Sequence, residues 1–146
     1  MTNINPTLLA DLQTLTTYPP VVMTGAWLTS NTNLSPQAQR DTNGLNLGYH
    51  YCPVDYAINI AVSNATVTVL PGTALAMYGE EYGVWLYADG IFNCNGTATS
   101  PNYIVSYNTV QEQSNTNWET TAWIASIITP GQADSSSANF TFTRCV

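Results

Sequence analysis

The chain has 146 residues, the length of one ordinary domain. Only 8% of them are charged, against roughly 25% in a typical soluble domain. There is no lysine, and Arg40 and Arg144 are the only cations against nine acids, for a net charge of −7. The clustered cations that nucleic acid, anionic membrane surfaces and polyanionic sugars require are therefore missing, which leaves neutral glycans, cations and other proteins as partners.

Uncharged Thr, Asn and Ser supply the polarity, and with nine Tyr and four Trp the composition leans extracellular or cell-surface. Met1 to Pro6 carries neither a basic nor a long apolar region, so it does not read as a secretory signal. The expectation is an export signal outside this sequence and a chain cut from something longer. No apolar run approaches the ~20 residues of a membrane helix, so membrane insertion is not expected.

The first predicted element is a helix from Asn5 to Leu15. Asn5 suits the N-cap, Pro6 the first helical position, and Leu8, Leu9, Leu12 and Leu15 form one apolar face. Tyr18-Pro19-Pro20 stops it. So short a helix needs its leucine stripe packed against something, and the side or end of a sheet is the natural place. A connecting stretch follows, with a strand at Val21 to Met23, a turn at Asp41 to Gly44 and an alternating aromatic segment from Leu45 to Pro53. Residues 1–55 thus form an N-terminal helix and connecting segment, and 56–146 a strand stack.

From Tyr56 the pattern changes to short β-prone runs divided by turn residues: Ile58 to Val62, Thr66 to Leu70, Ala74 to Tyr78, Val84 to Tyr87, Ile91 to Cys94 and Tyr103 to Tyr107. The tail adds Trp123 to Ile128 and the alternating run Asn139 to Cys145, which reads as a half-buried strand. The fold class is mainly β. A parallel solenoid and an antiparallel β-sandwich both generate this punctuation. The near-parallel fragments Asn64 to Val69, Thr73 to Ala76 and Gly83 to Leu86 favour the solenoid.

Arg40-Asp41-Thr42, Leu47-Gly48-Tyr49-His50-Tyr51, Asn64 to Val69 and Val110-Gln111-Glu112-Gln113 together resemble a recurring module of very large secreted bacterial proteins. Those proteins have right-handed parallel β-helix, pectate-lyase-like architecture. Leu8 to Gln13 looks like the segment that precedes the motif there, so the likeness spans most of the chain. The resemblance implies the fold and export, and implies no particular reaction.

Candidate chemistry is sparse. His50 is the only histidine, and no second histidine or nucleophile motif accompanies it, so it reads as a structural, hydrogen-bonded residue. Asp41 and Asp55 are the acids near it that would orient it or accept a calcium ion. Glu80, Glu81 and Asp89 read either as a solvated surface or as a calcium site. With Asp55 they also supply carboxylate pairs of the kind a glycosidase uses. Lyase chemistry on polyuronates needs cations gathered at the substrate, whereas Arg40 and Arg144 stand near opposite ends of the chain.

Tyr78, Tyr82, Trp85 and Tyr87 are the candidate ligand-binding residues, as flat faces on which neutral sugar rings stack. Trp27, Trp118 and Trp123 offer such faces too, and all of these aromatics equally suit an ordinary core. Asn33, Asn64, Asn95 and Asn139 each begin an Asn-X-Ser/Thr triplet. Cys52, Cys94 and Cys145 are an odd count without metal-ligand spacing, compatible with buried thiols, one disulfide or an interchain bridge.

No residue is assigned to catalysis, and no cofactor is expected unless calcium binds. The sequence favours a structural or adhesive surface module that assembles with copies of itself or with the rest of a larger chain. The alternative is a carbohydrate-binding or glycoside-active module for a neutral polysaccharide.

Overall fold

The structure, a computed structural model, describes residues 4–39, 50, 52–78, 82–107, 126–130 and 138–146, with 82 and 126–130 described by backbone alone. Helix α1 spans Pro6–Leu12. The strands are β1 (Val21–Leu28), β2 (Thr32–Leu34), β3 (Tyr56–Val62), β4 (Thr66–Val69), β5 (Ala74–Met77), β6 (Tyr82–Leu86), β7 (Ile91–Asn95), β8 (Tyr103–Ser106), β9 (Ser126–Pro130) and β10 (Asn139–Thr143).

The helix starts where expected, with the Thr7 N–H donating to Asn5 Oδ1 at 2.8 Å and Pro6 in the first turn. It ends before Leu15 because Thr14 donates both its N–H and its hydroxyl to the Asp11 carbonyl, at 3.0 and 2.7 Å. A hydroxyl that competes for a helix carbonyl in this way tightens and terminates the turn. No helix residue is fully buried: Leu9 and Leu12 are half-buried and Leu8 is exposed.

Every strand pairing among the described residues is parallel. The antiparallel sandwich is therefore not adopted. No described strand pairs with its neighbour in sequence as a hairpin would. One sheet has the order β8-β5-β3-β6-β9 with β1 also on β3, and the other is β10-β7-β4-β2. The chain alternates between them, so that β1–β2, β3–β4, β5–β6–β7 and β8–β9–β10 form successive rows. Tyr56–Ile58 of β3 pair with β5 and Ile60–Val62 with β6, which makes β5 and β6 two halves of one interrupted strand. Strands β1 and β2 lie in the same two sheets as the strands after residue 55.

The core lies between the sheets. In β4 and β7 the alternation is clean, with Val67, Val69, Phe92 and Cys94 buried and Thr66, Thr68, Ile91 and Asn93 half-buried. Ile58, Ile60, Val62, Leu75, Met77, Val84 and Leu86 face them from the first sheet. Each such side chain contributes about 1.5–3 kcal/mol on burial. Parallel register turns the alternation into columns: Thr32, Val67, Phe92 and Phe140 form one, and Leu34, Val69, Cys94 and Phe142 another. The last row departs from the half-buried strand that alternation predicts, because all five residues of β10 are exposed.

A polar spine at the corner leading into the first sheet holds the rows in register. Asp55 is 1% exposed, and its carboxylate accepts the N–H groups of Gln37 (2.7 Å), Ala38 (2.8 Å) and Ala74 (2.7 Å). Its backbone bonds Val21 on one side and Ala74 on the other. In the next rows Asn102 Oδ1 accepts the Thr73 N–H at 3.1 Å, its Nδ2 donates to the Val69 carbonyl, and the Thr73 hydroxyl donates to the Leu70 carbonyl at 2.7 Å. Asp55→Ala removes the carboxylate that accepts three N–H groups, that of Ala74 buried and those of Gln37 and Ala38 partly so. Urea denaturation is expected to show a loss of about 3–5 kcal/mol, and roughly half of that for Asp55→Asn, which keeps one acceptor oxygen.

Candidate functional site

Among the described residues, a cluster of aromatic side chains lies on the outer face of the first sheet. Register aligns Trp27 of β1 with Ala61 of β3, and Ala61 with Trp85 of β6. Two indoles thus flank a methyl group, two strand spacings apart, about 10 Å. Tyr87, just past β6, joins them: its ring centroid is 4.7 Å from that of Trp27 at a 30° tilt, and 5.6 Å from that of Trp85, edge-on at 74°.

A one-residue bulge creates this arrangement. Thr24 pairs with Asn59 and Ala26 with Ile60, so Gly25 is inserted between them with no partner. An extra residue in a strand moves every later side chain to the opposite face. Met23 points to the core before the bulge; after it Ala26 and Leu28 do so, and Trp27 faces out, 59% exposed. Gly25 has φ +67°, and a Cβ there would meet nothing within 4 Å. Its backbone conformation, not lack of room, selects glycine.

The small Ala61 leaves a half-open hollow of about 60 Å³ lined by Gly25, Ala26, Trp27, Asn59, Ala61 and Trp85. Pockets that enclose a small molecule run to ~300–1,000 Å³, so a ligand here lies on the aromatic faces and is not engulfed. No charged side chain lines the hollow, and Asn59 supplies its one side-chain amide. The hollow is thus uncharged, with flat apolar faces beside the Asn59 amide.

Of the predicted aromatics, Trp85 and Tyr87 come together, while Tyr78 makes its ring contact elsewhere, edge-on to Tyr107 at 5.0 Å. The side chain of Tyr82 lies outside the described residues, as do Glu80, Glu81, Asp41, Trp118 and Trp123. Asp89 is exposed in the turn after β6, with φ +51°. Asp55 is corrected from a candidate catalytic or calcium-binding acid to a structural one, since backbone N–H groups occupy both its oxygens. The sequence offers Trp27 and Trp85 alike as stacking aromatics but does not show that they share one face; the signal for that is Gly25 breaking the alternation of β1.

Among the described residues no group of three His, Cys, Asp or Glu side chains converges to hold a metal ion. No described helix is long and apolar enough to cross a membrane. No protein-family model, curated protein or solved structure matches the chain.

Proposed function

We propose that this chain is a segment of a right-handed parallel β-helix acting as a structural, self-associating module of an extracellular or cell-surface protein. The observation that carries the reading is the open row. Phe140 and Phe142 continue the columns of Phe92 and Cys94, yet remain 56% and 39% exposed. Their rings lie 5.8 Å apart, and Phe142 also sits 6.2 Å from Phe92. Among the described residues β10 pairs only with β7, so its other edge offers backbone groups to a further parallel strand.

The occupant is a second copy, presenting its β1–β2 row. That edge carries exposed Val21 and Val22, and successive rows already stack in parallel with one polarity. Such a contact is head-to-tail and propagates instead of closing. The near-absence of cations and the Thr/Asn surface support an exported location. In sedimentation velocity the chain is expected to give concentration-dependent oligomers, and Phe140→Asp/Phe142→Asp to sediment as a monomer. A wild-type chain that remains monomeric across the concentration range contradicts the proposal.

A second reading, favoured by the Trp27–Tyr87–Trp85 cluster, is binding of a neutral glycan without hydrolysis. Loss of one stacking ring is worth about 0.5–1.5 kcal/mol. Trp27→Ala is thus expected to weaken retention on an insoluble neutral polysaccharide by roughly 3–10-fold. Equal retention of wild type and variant removes this reading.

A further inference from the structure

The three cysteines are not equivalent in space. Cys94 ends the buried run of β7, Cys145 follows β10 in the next row, and Cys52 is exposed. Although 51 positions apart in sequence, Cys145 Sγ lies 2.8 Å from Cys94 Sγ, within ~1 Å of a disulfide bond length. We infer that Cys94 and Cys145 form a disulfide that clips the last row to the one before it.

The backbone holds both partners in place before any bond forms. Asn102 and Cys145 make a parallel bridge. The Asn102 N–H donates to the Arg144 carbonyl at 3.1 Å, and the Val146 N–H to the Asn102 carbonyl at 2.9 Å, so Cys145 is gripped on either side. The Gly96 N–H donates to the Thr143 carbonyl at 2.8 Å. A Cβ on Gly96 would strike the Arg144 carbonyl, so only glycine lets the two turns approach this closely. On the other side, Asn102 Nδ2 donates to Cys94 Sγ at 3.3 Å and steadies the buried sulfur.

The clip also answers a weakness of the fold. Strand β10 buries none of its residues, and among the described residues it is held by backbone bonds to β7 and the Phe142–Phe92 contact. A cross-link over a chain segment this long restricts the unfolded state strongly.

The chemistry requires an oxidant, and a small-molecule disulfide such as oxidised glutathione suffices. Burial, with the Cys145 hydrogen bond next in weight, pushes the Cys94 thiol up to about 12. The more accessible Cys145 therefore attacks first as thiolate, cleaving the glutathione S–S bond and releasing one glutathione thiolate. The Cys94 sulfur, losing its proton, then attacks Cys145 in the mixed disulfide and expels the second glutathione. Two protein thiols are oxidised by two electrons in total, and one glutathione disulfide is reduced to two thiols.

The test treats the folded, reduced chain with oxidised glutathione, blocks remaining thiols with N-ethylmaleimide and maps the peptides by mass spectrometry. The expected result is a Cys94–Cys145 linked peptide with Cys52 outside the intrachain bond. Oxidation is also expected to raise Tm by on the order of 5–10 °C. That rise should persist in Cys52→Ser and vanish in Cys145→Ser, whose fold is checked by circular dichroism. Linked peptides containing Cys52, maleimide on both Cys94 and Cys145 after oxidation, or an undiminished Tm rise in Cys145→Ser would each overturn the assignment.

Discussion

The architecture depends on one buried carboxylate. Asp55 stands where the chain enters β3, the strand that touches β1, β5 and β6. A carboxylate in a dry interior is expensive unless hydrogen bonds replace its hydration. Here three N–H groups do so, from the segment after β2 and from the head of β5. Because those donors belong to different rows, satisfying the charge and fixing the register are one requirement. A row shifted by one residue would put the carboxylate opposite the wrong backbone group and turn the inward columns outward.

With the corner fixed, the rest follows from alternation. Val67, Val69, Phe92 and Cys94 meet Ile58, Ile60, Val62, Val84 and Leu86 across the core. The polar residues between them are free to make a neutral surface. The two features with functional character are both local departures from this regularity. Gly25 reverses the facing of β1 and brings Trp27 out beside Trp85 and Tyr87. At the last row the columns continue into Phe140 and Phe142, which no described residue beyond them covers.

Most strands could be read from the sequence, because Ser63-Asn64, Pro71-Gly72 and Asp89-Gly90 punctuate runs whose alternation matches their burial. Less legible were effects that depend on distant partners. Thr14 shortened the helix through a side-chain bond that propensity does not weigh. Asp55 looked like other acids, since its donors lie 17 to 19 positions away in both directions. Three cysteines allow three pairings, and only the stacking of β7 and β10 brings Cys94 and Cys145 together. The strand at Asn139 alternates as a half-buried strand does, but burial needs a following row that alternation alone does not supply.

Self-association as proposed requires that the exposed edge of β10 receive another copy of the chain. Amide hydrogen exchange, followed at low and high protein concentration, reads that edge directly. If another copy docks there, β10 amides and those at the β1–β2 edge slow together as concentration rises while the amides of β3 stay unchanged. Exchange in β10 that is equally fast at every concentration would contradict it.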